Sequence, residues 1–161
     1  MVQSMKESLT LVSQPENLDK SVDEVFSTMI GVHCEPGEYP VNHEPELVTA
    51  VVGFGGAMSG ACVLRMGQTI ALRLASKMTG MIFTELDDTV TDAAGEVCNM
   101  LAGTWKGCVP EISASCMLSV PAVVTGRDYQ VHVQKPAFHI GRVYHFEGHL
   151  FEVTIICDGV Q

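Results

Sequence analysis

The stretch VTAVVGFGGAMSGACVLRM, residues 48–66, decides the fold class. Two apolar runs, VTAVVGF and AMSGACVLRM, flank Gly55-Gly56, and glycines between such runs supply the positive backbone angles that a tight hairpin turn needs. Two antiparallel strands are therefore expected here. On the N-terminal side, HCEPGEYPVNHEPE (33–46) is a loop by its prolines, glycine and acids. Before that loop, Leu18, Val22, Val25, Phe26, Met29 and Ile30 recur at helical spacing, with Asn17 as the expected N-cap and Gly31 as the stop. Residues 1–14 have weak periodicity and stay unassigned, either a loose extension or a short added strand.

On the C-terminal side, QTIALRLASKMTG (68–80) returns to helical spacing through Ile70, Leu74 and Met78. It keeps Arg73 and Lys77 on the wet side and closes at Gly80. The acidic linker MIFTELDD (81–88) leads into TDAAGEVCNMLAG (91–103), a further helix. From about Ser113 to Cys157 the chain is rich in Val, Ile, Phe and Tyr and is broken by VTGRD, QKPA and FEGH, which predicts three or four strands. Helix, hairpin, two helices and a run of strands give an α+β class: a mostly antiparallel sheet with helices packed on one face.

A chain of 161 residues, 47% hydrophobic and 17% charged, fits one domain spanning 1–161 with a substantial core. No apolar run approaches the roughly 18 to 20 residues of a membrane-spanning helix. The opening MVQSMKESLTLVSQPENLD has no basic segment followed by an apolar one, so a cytosolic protein is expected. A net charge of -10 repels nucleic acid and anionic membrane surfaces, and neither is expected as a partner. The six cysteines (34, 62, 98, 108, 116 and 157) form no CxxC pair and several fall in apolar periodic segments, where a free thiol acts as a small hydrophobe.

On this helix Asp92, Gly95, Glu96, Asn99 and Gly103 share a sector of roughly 100°, while Val90, Ala94, Val97, Leu101 and Trp105 lie opposite. Any surface helix is amphipathic, so the neighbours of the polar groups matter more. A solvated face carries long Lys, Glu and Gln side chains, yet here a carboxylate and an amide stand beside two glycines, each costing about 1 kcal/mol against alanine. Bare helix surface at Gly95 and Gly103 would let a partner's backbone come close to Glu96 and Asn99. Asp92 has a plainer reading as well, since Thr89-x-x-Asp92 resembles a capping box and an acid in the first turn complements the helix dipole.

Asp92, Glu96, Asn99 and, further on, Pro121 in LSVPAVVTG resemble the signature of the CheC, CheX and FliY family of bacterial chemotaxis phosphatases. That signature is an Asp or Ser, three residues, Glu, two residues, Asn, and a Pro a little over twenty residues later. DEVFSTMIGV, the GGAMSGACVLRM hairpin, ALRLASKMTG, GEVCNMLAG and FEGHLFEVTII extend the similarity to CheX members over roughly residues 18–157. Larger family members carry the signature twice. In the first helix here Glu24 is followed by Ser27, and Lys20 stands where the Asp or Ser would be, so a single site remains, as in CheX members.

The resemblance implies a CheC-like fold, a homodimer, and a substrate that is a phosphorylated response regulator of the CheY type. It implies that Asn99 orients the attacking water and that Glu96 pairs with a partner lysine. Asp92, Gly95 and Gly103 would then border the partner contact. A neutral amide suits the first task, since hydrolysis of an acyl phosphate needs positioning and electrostatic help more than covalent chemistry. No cofactor is expected in this chain, and Mg2+ is expected to come with the phosphorylated partner. A non-catalytic protein that binds a response regulator or a flagellar switch component is the alternative.

Other chemistry finds less support. GFGGAMSG has Met58 where a dinucleotide fingerprint needs its third glycine and lies in a hairpin, and no phosphate-binding loop or nucleophile elbow occurs. His145, Glu147 and His149 alternate as metal ligands on a strand would, but FEGH also reads as a turn that splits them.

Overall fold

The computed structural model describes residues 7, 10, 12–41, 44–132, 136 and 138–160. Helix α1 (Pro15–Val25) opens on Pro15 with Gln14 as its N-cap. Proline fits the first helical position because the missing N–H would have had no intrahelical acceptor. Asn17, expected as the cap, lies inside the helix instead. α1 continues into a π-helical turn, Phe26–Ile30, and stops at Gly31 in the left-handed conformation (φ 80°). Leu18, Val22, Val25, Phe26 and Ile30 are buried as their spacing predicts, but Met29 is 47% exposed. Met29 lies within the π turn, whose wider winding carries it off the apolar stripe.

The hairpin forms as expected. β1 (Glu46–Gly56) pairs antiparallel with β2 (Met58–Gly67), Val51 opposite Val63, and Gly56 turns the chain at φ 86°. Then come α2 (Gln68–Thr79), closed by Gly80 at φ 75°, and α3 (Asp88–Lys106). A short α4 (Pro110–Ser113), not anticipated from the sequence, leads to β3 (Cys116–Leu118) and β4 (Ala122–Arg127). β5 (Phe138–Phe146) and β6 (His149–Val160) complete a six-stranded sheet of order β3-β1-β2-β6-β5, with β4 beside β1 on the same edge as β3. Every strand pair is antiparallel. The four late strands match the expected number, but VTGRD is no break: residues 124–127 belong to β4 and the turn follows at Asp128 (φ 50°). FEGH is the turn it was read as, with Glu147 and Gly148 at φ 47° and 84°, the positive pair that suits a twisted hairpin.

Alternation sends Val48, Ala50, Val52 and Phe54 of β1 into the core. There Phe26 stacks on Phe151 at 5.0 Å, and Phe54 meets Trp105 at 5.4 Å. Val12 is buried in the same cluster, and Glu7, Thr10 and Val12 are helical, so at these residues the chain before α1 is not the added strand that was one of the two expectations. α1 is also tied to the sheet by a polar clamp. The Asp19 carboxylate accepts two hydrogen bonds from Arg142 (3.0 and 2.6 Å) and one from the Tyr144 hydroxyl (2.7 Å). Burial, then the Asp19 carboxylate, push the Tyr144 phenol far above its ordinary pKa, so it stays a donor. Among the described residues no helix is long and apolar enough to cross a membrane.

Candidate functional site

α3 carries the polar stripe, and its start differs from the capping-box reading. Asp87 is the N-cap, its Oδ1 accepting from the Val90 N–H at 3.0 Å. Asp92 is thus past the first turn and Thr89 is inside the helix, which removes the capping explanation for Asp92. The apolar side behaves as its spacing predicts, with Val90, Ala94, Val97, Leu101 and Trp105 fully buried. Beneath the stripe Cys98 lies within hydrogen-bond reach of the carbonyls of Ala50 (3.5 Å) and Cys62 (3.4 Å), seating the helix on β1 and β2. The hydrogen bond with Cys98, and burial, push the Cys62 thiol well up, so both sulfurs act as packing atoms.

On the outer side Asp92 and Glu96 are exposed and Asn99 is half-buried. Among the described residues no side chain pairs with any of the three. All three lie on one rigid helix, which spends no side chain of its own to hold them.

The two glycines differ in their surroundings. Gly95 is buried rather than bare: a Cβ there would stand 3.3 Å from Pro121 Cβ and 3.4 Å from Val123 Cγ2. What packs on Gly95 is the chain's own Pro121 ring and Val123 side chain. Gly103 is half-buried, and a Cβ there would meet Leu118 Cδ1 at an ordinary 3.8 Å.

Pro121 reaches Gly95 because the edge strand is interrupted. Leu118 stands opposite Phe54 and Ala122 opposite Val51, so residues 119–121 face only Val52 and Gly53 on β1. One extra residue bulges out, and proline is tolerated where the ladder is broken. Ser119 bridges the gap: its N–H donates to the Gly53 carbonyl (2.9 Å) and its hydroxyl accepts from the Gly53 N–H (2.8 Å). The signature proline therefore props the helix one residue before Glu96.

Sequence reasoning missed a cleft of about 390 Å³ between the end of α1 and α3, lined by Glu24, Met29, Asn99, Met100, Gly103 and Leu118 among others. Nothing local in the sequence signals it, since it depends on the crossing of two helices and a strand. The alternating residues of FEGH are drawn apart by the turn. Glu147 reaches α2, where Arg73 (2.6 Å) and Lys77 (3.3 Å) bind it. Among the described residues no group of three His, Cys, Asp or Glu side chains is arranged to hold a metal ion.

The family model "Chemotaxis phosphatase CheX" matches residues 48–141, which contain α3, the bulge and most of the sheet. The chain belongs to the CheX family of chemotaxis phosphatases. Among CheX proteins, the CheY-P phosphatase CheX of Thermotoga maritima is 29% identical over 115 residues, covering 69% of this chain and 74% of that one. The crystal structure of a CheX from Desulfovibrio desulfuricans superposes with a TM-score of 0.73 at 25% identity, over 88% of this chain and 97% of its own. The same fold is present in the CheX-CheY-BeF3-Mg2+ complex from Borrelia burgdorferi, with a TM-score of 0.74 at 21% identity over 89% and 97% of the two chains.

Proposed function

We propose that this chain hydrolyses the aspartyl phosphate of a phosphorylated CheY-type response regulator, with Asn99 positioning the attacking water and Glu96 pairing with a lysine of the partner. The observation that carries this reading is the placement of Glu96 and Asn99 on one face of a rigid helix, with no side-chain partner of their own among the described residues. A Thermotoga maritima relative named CheY-P phosphatase and a Borrelia burgdorferi relative solved with CheY, BeF3 and Mg2+ support it.

In the reaction, a water oxygen attacks phosphorus in line with the phosphorus–oxygen bond to the receiver's aspartate. That bond breaks, the aspartate leaves as carboxylate and inorganic phosphate departs. Asn99 accepts from the water through its amide oxygen or donates to it through its NH2, and being neutral it neither repels the phosphoryl oxygens nor takes a proton permanently. Glu96 fixes the register through a charge-assisted hydrogen bond. The magnesium ion arrives with the substrate, bound beside the receiver's phosphoaspartate.

The reading includes a cytosolic homodimer. At the β5 edge the segment before β1 is already in place, with Gly37 N–H donating to Val143 (2.7 Å) and His145 N–H donating to Glu35 (2.9 Å). Beyond β4 no further strand pairs among the described residues, and Val124 there is 53% exposed, which supports β4 as the pairing edge.

The test follows the decay of aspartyl phosphate on a CheY-type receiver. Asn99→Ala keeps the helix and removes only the amide, and turnover is expected to fall by about 10² to 10³. Wild-type decay with Asn99→Ala would put the non-catalytic scaffold in place of the phosphatase.

A further inference from the structure

We infer that the cleft between α1 and α3 is a docking pocket for the receiver itself: it takes an apolar side chain of the phosphorylated partner, and Glu24 on its rim takes a basic group beside it. This inference rests on the phosphatase reading and adds to it the residues that choose among partners.

The walls are chemically divided. Met29, Met100, Gly103 and Leu118 make an apolar floor, and Glu24 and Asn99 are polar groups on the lining. Met29 is 47% exposed although Phe26 and Ile30 of the same π turn pack into the core. A half-exposed thioether is adaptable and poorly hydrated, a usual property of protein-binding surfaces. Glu24 is exposed, and among the described residues it makes no ion pair. In a chain of net charge -10, with Asp92 and Glu96 along the neighbouring helix, the rim favours a cation.

The occupant follows from Asn99, which belongs both to the polar stripe and to the cleft. Because Asn99 lines one wall of the cleft, a protein whose acyl phosphate lies within reach of its amide stands next to that cleft. A second copy of this chain seated there would bury Asn99 and block that approach. The receiver is therefore the partner that fits, and the pocket recognises an apolar side chain with a Lys or Arg next to it.

The experiment uses the full chain and the beryllofluoride-activated form of the CheY-type receiver it dephosphorylates. Affinity is measured at low salt and near 0.5 M salt, together with kcat, KM and sedimentation, for wild type, Met29→Glu, Glu24→Lys and Asn99→Ala. Met29 and Glu24 are exposed, so both variants are expected to fold, as a melting curve verifies. Met29→Glu should weaken binding by about tenfold or more at both salt concentrations. Glu24→Lys should weaken it by about three- to tenfold at low salt, a loss that shrinks when salt screens the contact. For both, kcat at saturation should stay within about twofold of wild type, unlike Asn99→Ala. If neither variant changes affinity while Asn99→Ala is still slow, the pocket is overturned and the phosphatase reading stands. If wild type binds no activated receiver, both fall. A change of oligomeric state with receiver affinity unchanged would give the cleft to a second copy and end the proposal.

Discussion

Gly95 of α3 and Pro121 of the bulge are in contact so close that a methyl group on Gly95 would stand 3.3 Å from the proline ring. The glycine lets the edge of the sheet support the helix between Asp92 and Glu96. Gly95→Val should therefore destabilise the protein by about 1–3 kcal/mol, because the added carbons overpack against Pro121 and Val123. Gly103→Ala should instead stabilise it by about 0.5–1 kcal/mol, since alanine is the better helix former and its methyl meets Leu118 at an ordinary distance. Urea denaturation of the two variants checks the pair, and equal effects would contradict the packing assigned to Gly95.

Glu96 is assigned to register rather than to water. Glu96→Ala should weaken binding of the activated receiver, and Glu96→Lys should weaken it further because a like charge would meet the partner's lysine. Neither substitution should unfold the helix, as Glu96 is exposed and unpaired among the described residues. Titration calorimetry with the activated receiver gives the order, and a Glu96→Lys protein that binds like wild type would remove the lysine contact.

The Asp19 clamp has a separate cost. Tyr144→Phe deletes one buried hydrogen bond, for about 1 kcal/mol. Asp19→Ala strands the buried Tyr144 hydroxyl and releases the part-exposed Arg142 guanidinium to water, and about 1–3 kcal/mol is expected. Combining the two should cost less than their sum, because they share a partner.

Thiol reactivity follows burial. Cys108 is exposed and the other five cysteines are buried, with the Cys34 thiol pushed up to about 12 by burial and then by the charge of Asp23. A thiol reagent at neutral pH should modify one cysteine rapidly in the native protein and six in denaturant. Cys108→Ser should abolish the fast phase.

Glu147 gives a sign for acid sensitivity. The hydrogen bond from Arg73, helped by Lys77, holds its carboxyl below the ordinary 4.5. A depressed folded-state value means the stabilisation is present above that ordinary value and is lost as pH falls through the lower one. The pair is partly solvated, so under about 1 kcal/mol is expected. Glu147→Gln should flatten the pH dependence of melting as pH falls below the ordinary carboxylate value of 4.5.

Local chemistry was enough to place most elements. Apolar spacing of 3.6 or 2 residues marks α1, α2, α3 and the first hairpin, and Gly31, Gly80 and Gly148 stop or turn the chain at positive φ, as their lack of a Cβ permits. The same spacing puts Asp92, Glu96 and Asn99 on one face, so the polar part of the candidate site is legible in the sequence. The sequence could not say which side of Gly95 would be covered. A helix pattern records that a side chain is missing, whereas the atoms that fill the space come from Pro121, brought there by a bulge in another strand. Met29 shows the same limit: a π turn displaced it from the apolar stripe into the wall of a cleft. Apolar spacing over a few turns was settled by the sequence alone, whereas the caps were not, since Gln14 and Asp87 rather than Asn17 and Thr89 open α1 and α3. What depended on segments meeting across the core, the prop behind Glu96 and the pocket beside Asn99, was settled by tertiary packing, because close-packed volume is shared among distant residues and is written in no single stretch.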